Sequence, residues 1–289
     1  MELQELGLLY RQTAADLSAV INDPSSAQLA AYLNHLLARS HNLLYSGEKP
    51  SRTSVVSFYR DVYPGIFRET LPLTAAATAV FALGALVGWA VTLRDPGFAH
   101  RLLGPQMIDS ISRRQMWTGS VVAIKPVASS FIATNNLSVA FSAFAMGITG
   151  VGTLWMMVFN GLLLGTVAAA TWRAGMALSL WSFVAPHGVV EIPAICIAGG
   201  GGLEIARGVL FPGVLPRRES LARAGKRAVR LLLGTIPLLL IAGTIEGFFS
   251  PTPVPVSLKF LLAGVLFGTL LFYLFLSGPA KSATADSAP

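Results

Sequence analysis

An all-α membrane bundle of about six spans is the fold this sequence predicts, and three observations carry the prediction. Only 12% of the residues are charged and 53% are hydrophobic, with a mean hydropathy of +0.63. A soluble domain carries roughly 25% charged residues, so this composition is that of an integral membrane protein. Second, the apolar runs continue past about 18 residues without a charge, the length of a helix through hydrocarbon. Continuous runs favour helices over a barrel, whose strands alternate. Third, the surplus behind a net charge of +7 lies mostly between the runs, where Lys and Arg set orientation.

Residues 1–68 read as a small helical region, cytoplasmic and then interfacial. Leu8, Leu9, Ala15, Leu17, Val20 and Ile21 recur at helical spacing, and Asp23-Pro24 ends that run. Ser26 is placed to cap a second helix through Leu44, with Leu29, Tyr32, Leu33, Leu36, Leu37 and Leu44 on one stripe. His35 and His41 on this helix read as surface or interface residues rather than ligands. The first residues are acidic and lack the apolar core of a signal peptide, so no cleavage is expected. The following segment, with Tyr59, Tyr63 and Phe67 among Arg60 and Arg68, reads as an interfacial approach to the bilayer.

The bundle is expected over 69–278, with 279–289 a disordered tail. Its first span is Leu71–Leu93, where Gly84 and Gly88 offer a close helix contact. A polar excursion over 94–126 contains one short amphipathic helix, PQMIDSISRRQMW. The second span, about Val127–Thr149, carries Asn135 and Asn136, and the third, about Leu154–Trp172, carries Asn160 beside Gly161 and Gly165. The glycine-rich link Gly147–Gly152 makes these two a tight antiparallel hairpin. A fifth span over Leu231–Phe249 holds Glu246, and a sixth over about Leu258–Leu276 holds Gly264 and Gly268.

Between the third and fifth spans lies the stretch that concentrates the chemistry. Trp181–Arg207 is apolar, yet it contains His187, Glu191 and Glu204. Ionisable groups at bilayer depth cost about 2.5–3.5 kcal/mol each, so they are seldom idle. His187 and Glu191 are four apart and share a helix face. Pro186, Gly188, Pro193 and the run Gly199, Gly200, Gly201 and Gly202 all disfavour an uninterrupted helix. A broken or re-entrant element is therefore expected, one that folds His187, Glu191 and Glu204 together with Glu246, Asn160, Asn135 and Asn136 into a polar cluster facing no lipid. Three carboxylates there must be protonated, hydrogen-bonded or neutralised by a cation, and Arg207 is the natural partner of Glu204.

The segment Arg207–Arg230 holds seven Arg or Lys residues against Glu219 alone, which places it in the cytoplasm. Counting outward puts both termini inside and 94–126 outside, although that excursion is itself basic. Loop topology and anionic lipid account for the basic segment without nucleic acid. The single cysteine, Cys196, excludes an intrachain disulfide. The small-residue pairs and the apolar N-terminal stripe point to a homo-oligomer, a dimer on symmetry grounds.

These residues also carry a family resemblance. Asn135-Asn136, the turn ending Gly150-Val-Gly152, Asn160-Gly161-x-x-x-Gly165, Pro186-His187-Gly188-x-x-Glu191, the Gly199–Gly202 tract and Ile245-Glu246-Gly247-Phe248 occur in that order. Over about residues 60–278 the chain resembles the stage II sporulation protein M family of integral membrane proteins. In spore formers the resemblance implies a membrane partner of a peptidoglycan-degrading complex active during engulfment. It also implies a bacterial or archaeal plasma membrane as the location.

Three functions follow as expectations. The first is a scaffold or channel-like component that works with cell-envelope proteins in peptidoglycan remodelling, without catalysis or cofactor. The second is a transporter or permease with its polar site around His187 and Glu191, since ionisable groups near the midplane are a transporter signature. The third is an intramembrane metal-dependent hydrolase using His187, Glu191, Glu204 and Glu246, disfavoured because zinc hydrolases usually bring at least two histidines. No Ser-His-Asp arrangement, phosphate loop or dinucleotide fingerprint is present.

Overall fold

A computed structural model describes residues 3–21, 26–45, 52–116 and 125–277, and every element among them is helical. The chain divides into two units, Met1–Val56 and Ser57–Pro289. In the first, α1 (Leu3–Val20) and α2 (Ala27–Tyr45) pack against each other as the two apolar stripes require. Leu8, Leu9, Ile21, Leu29 and Tyr32 nonetheless stay exposed on this pair, as does His35. Asp23, Pro24 and the side chain of His41 lie outside the described residues, as does the tail 279–289.

The second unit begins at Ser57, the last residue of α3 (Arg52–Ser57), and continues with a π-helical turn, Phe58–Val62, and α4 (Tyr63–Glu69). The division at Val56 thus falls before the boundary expected at 68, because α4 is built into the bundle. Tyr63 is fully buried and its ring fills the space a Cβ at Gly234 would need. Burial pushes its phenol well above the ordinary range. Arg68 donates to the carbonyl oxygens of Phe275 at 3.2 Å and Ser277 at 2.7 Å, closing a helix terminus that would otherwise lack partners.

The long helices follow: α5 (Leu71–Arg94), α8 (Lys125–Ala145), α9 (Val151–Arg173), α10 (Ala177–Leu210), α11 (Arg217–Thr244, continued by a π turn to Phe249) and α12 (Val256–Leu276). The excursion after α5 contains two short helices rather than one, α6 (Pro96–Leu103) and α7 (Pro105–Ser112). Asp95 caps α6 by accepting from the Gly97 amide at 2.9 Å. Its hydrogen bond from Arg101 holds this exposed carboxyl below the usual range. Ala99 and Ile111 are buried as α6 and α7 fold back towards α9.

Five of the long helices, α5, α9, α10, α11 and α12, are long and apolar enough to cross a membrane. The second expected span, about Val127–Thr149, corresponds to α8, whose 21 residues are diluted by Asn135 and Asn136 and fall outside that set. The fifth is longer than expected, since the basic segment is largely helical and only 211–216 separates α10 from α11.

The expected break in the fourth element is absent. α10 is one helix of 34 residues, with Pro186 and Pro193 inside it, and it is the hub of the bundle. Its most apolar stretch is 72% buried, against 22% for α12, and it packs on α5, α8, α9, α11 and α12. The reason lies in the neighbours. Gly199 lies against Met157 and Ala77, Gly200 against Thr74, Gly201 beside Ala228, and Gly202 against Ala143 and Thr153. Each glycine costs a helix about 1 kcal/mol, but four successive ones let four helices approach at backbone distance, and that packing outweighs the propensity. Proline is likewise tolerated in a membrane helix because adjacent helices satisfy the freed carbonyls.

The expected α8–α9 hairpin is present. A 3₁₀ turn, Met146–Ile148, and Gly150 at a positive φ of 69° reverse the chain. Its tip docks on the α10 glycines, and Thr153 Oγ1 donates to Ala143 O at 2.7 Å. α5 and α9 meet through both glycine pairs: Gly84 and Gly88 face the Val158 and Leu162 carbonyls, while Gly161 and Gly165 face those of Phe81 and Ala85.

Candidate functional site

His187 and Glu191 sit one turn apart on α10, and Glu246 comes from the π turn that ends α11. One donor atom from each lies within 4.8 Å of the other two. His187 is buried, with Nε2 3.8 Å from Glu246 Oε2 and Nδ1 3.0 Å from Ser250 Oγ. With Nδ1 protonated and donating to Ser250, Nε2 presents its lone pair to the carboxylates. The His187 ring stands edge-on to Phe183 at 5.4 Å, which helps fix its plane. Glu191 Oε2 is cut off from solvent without a hydrogen-bond partner. The widened turn at Ile245–Phe249 is what aims Glu246 inward, since a π turn shifts the register of the residues it carries.

The expected amides take different positions. Asn160 donates to the Met156 carbonyl of its own helix at 2.8 Å and lines the same small cavity as His187 and Glu191. That cavity, about 200 Å³, is otherwise walled by Phe81, Leu164, Val184 and Ile195. Asn136 is buried on α8 and faces Glu246, though its Nδ2 lacks hydrogen-bond geometry to any group. Asn135 is exposed, and its amide reaches Asn136 Oδ1 only at 3.4 Å. A larger groove of about 510 Å³ between α5, α10 and α12 offers no acid, base or histidine.

Glu204 does not join this cluster. A continuous helix carries it about 20 Å along the axis from Glu191, at about 1.5 Å per residue. It is fully buried at the other end of α10, where Oε1 accepts from Arg207 Nη2 at 2.9 Å and from Arg227 Nε at 2.7 Å. The pairing with Arg207 is the one expected. The partner missed is Arg227, which sits on a helix where the sequence suggested a loop.

Two further groups at the cluster had no signal beyond their chemistry. Ser250, 1% exposed, anchors His187 and accepts at its own carbonyl from Lys259 Nζ at 2.7 Å. Lys259, near the start of α12, is itself buried. A lone lysine opening an apolar helix reads in sequence as a snorkelling cation, so only the fold reveals it.

The geometry lies within a region that matches known proteins. The model of stage II sporulation protein M matches residues 77–251. The chain belongs to that family. The stage II sporulation protein M region takes in α5 from residue 77 onwards and ends just past Ser250, so it contains His187, Glu191, Glu246 and Ser250 but not Lys259. A separate model, a domain of unknown function, matches residues 1–46, the stretch that forms α1 and α2. Two uncharacterized proteins of Methanocaldococcus jannaschii are similar. One is 32% identical over 42% of this chain and 69% of its own length, the other 29% identical over 39% of this chain and 51% of its own. No solved structure matches the chain.

Proposed function

We propose that this member of the stage II sporulation protein M family is a channel-like membrane component or permease that passes a cation through the His187–Glu191–Glu246 centre. The observation that carries the reading is the pairing of two carboxylates with one histidine inside an apolar bundle. A scaffold held together by helix packing has no use for such a group, which costs free energy to bury. A path for cations requires one, because exchangeable oxygen and nitrogen ligands replace water. Among the described residues no lysine or arginine forms an ion pair with Glu191 or Glu246, so no fixed cation competes with a passing one for these carboxyl groups. The test is purified protein in liposomes loaded with pH- and metal-sensitive dyes. Entry of protons or divalent ions should exceed that of empty vesicles and fall at least tenfold in Glu191→Gln, and no excess over empty vesicles would overturn the proposal.

A second reading is a docking scaffold for cell-envelope proteins, including those that remodel peptidoglycan. It is favoured by the apolar residues left exposed on α1 and α2. Crosslinking in cells should then trap a partner through Leu29 or Tyr32 and lose it when both become serine. In either reading the protein is expected in the plasma membrane with both termini cytoplasmic, as a dimer in contact with lipid. The single histidine of the centre gives a hydrolase less support.

A further inference from the structure

We propose that His187 Nε2, Glu191 and Glu246 form a resident binding site for one first-row divalent metal ion of the zinc or manganese class. This rests on the cation-passing reading for its place in the protein but not for its chemistry. Four observations point the same way. The three donor atoms lie within 4.8 Å of each other, and tetrahedral ligands on one ion of about 2.0–2.2 Å bond length are roughly 3.3–3.6 Å apart. Side-chain shifts of about 1 Å close that gap.

Charge balance is the second observation. Two carboxylates and a neutral imidazole around a divalent ion sum to zero, which a low-dielectric interior favours over any state with both acids ionised and no cation. Lys259 donates to the Ser250 carbonyl, and Arg207 and Arg227 are held by Glu204 at the other end of α10.

The third is unmet bonding capacity. Glu191 Oε2 has no partner, and the amide of Asn136, on a side chain only 7% exposed, lies beside Glu246. Rotating that amide would turn its carbonyl oxygen towards the ion as a fourth ligand. The fourth is the outer contact on the imidazole. Metal-bound histidines almost always donate their second ring N–H to a nearby group, and Ser250 Oγ stands 3.0 Å from Nδ1. The nitrogen donor selects transition ions, since magnesium and calcium prefer oxygen alone. The adjoining cavity of about 200 Å³ leaves room for a water or a substrate oxygen at an open coordination position.

The experiment uses the full-length protein in detergent, stripped with a chelator and dialysed against Zn²⁺ or Mn²⁺, with Mg²⁺ as competitor. Metal content should approach one ion per chain after subtraction of the Glu191→Gln/Glu246→Gln double variant, which removes binding by histidines elsewhere. Added Zn²⁺ should raise the unfolding midpoint of the wild type and leave that of the double variant unmoved. Ser250→Ala touches the ion only through the ring, so it keeps the ligands and the fold while weakening binding by about 10-fold to 100-fold. Equal metal content in wild type and double variant, with both monodisperse, overturns the site. Stoichiometric metal without ion passage would keep the site and remove the translocation reading. Ion passage without bound metal would do the reverse.

Discussion

Glu204 shows how a membrane protein keeps a carboxylate in its interior. It is fully buried, and both of its arginines extend outward, with side chains 52% exposed for Arg207 and 36% for Arg227. Arg227 reaches it with Nε and Nη2 together, Arg207 with Nη2 alone. Removing one partner of a buried pair leaves a charge without compensation and costs about 3–5 kcal/mol, whereas an exposed pair contributes about 1 kcal/mol or less. Arg227→Met should therefore lower the thermal midpoint markedly more than Arg207→Met, by a margin equivalent to about 2 kcal/mol. Equal effects in a detergent melt would show that the two arginines share the load. The sequence made the Arg207 pairing legible, because three residues span one helical turn. It could not show Arg227, whose approach depends on α11 packing antiparallel to α10. Nor could it separate Glu204 from Glu191, since that separation follows from the helix staying whole.

Among the elements, α5 and α9 meet at backbone distance, and the glycines decide it. A Cβ at Gly165 would overlap the Ala85 carbonyl oxygen, a backbone atom that cannot move aside alone. Gly165→Ala should thus force the two helices apart at a cost of about 3 kcal/mol, the upper range for overpacking. Gly268→Ala meets nothing within 4 Å and should gain up to about 1 kcal/mol from helix propensity. A pair of melting curves checks both, and a Gly268→Ala loss as large as that of Gly165→Ala would contradict the packing described. The same contrast explains why Gly199–Gly202 misled. Propensity is a property of a chain alone, and those four positions are chosen by the helices that close on them. Alanine at Gly202 would strike the Ala143 carbonyl and Thr153 together. That substitution should be as damaging as Gly165→Ala despite its better intrinsic propensity.

At the scale of the whole molecule, the orientation expected from Arg207–Arg230 is directly testable, because the one native cysteine, Cys196, is buried and gives little background. A cysteine at position 220 should be labelled from the cytoplasmic side and one at position 105 from the outer side. Labelling of both from one side would mean that α8 does not cross. Dimerisation has a similar handle. Gly264 and Gly268 face open space within the chain, so α12 presents a small-residue pair to whatever lies beside it. Gly264→Ile with Gly268→Ile should reduce the detergent-corrected mass from dimer to monomer without lowering the melting temperature. An unchanged mass would leave α12 facing lipid.

Taken alone, the sequence determined what composition and period encode: an all-α membrane protein, the places of the apolar helices, the α8–α9 reversal at its glycines, and the polar residues worth attention. These follow from the free energy of putting side chains and backbone into hydrocarbon, which depends on residue type and local order. Only the tertiary structure decided that the fourth element is one unbroken helix, that α4 belongs to the bundle, and that Ser250 meets His187 while Glu204 leaves the cluster for Arg227. Each of those turns on which surfaces touch across tens of residues, and close contacts between helices override local preference where their combined packing exceeds the roughly 1 kcal/mol that each glycine costs.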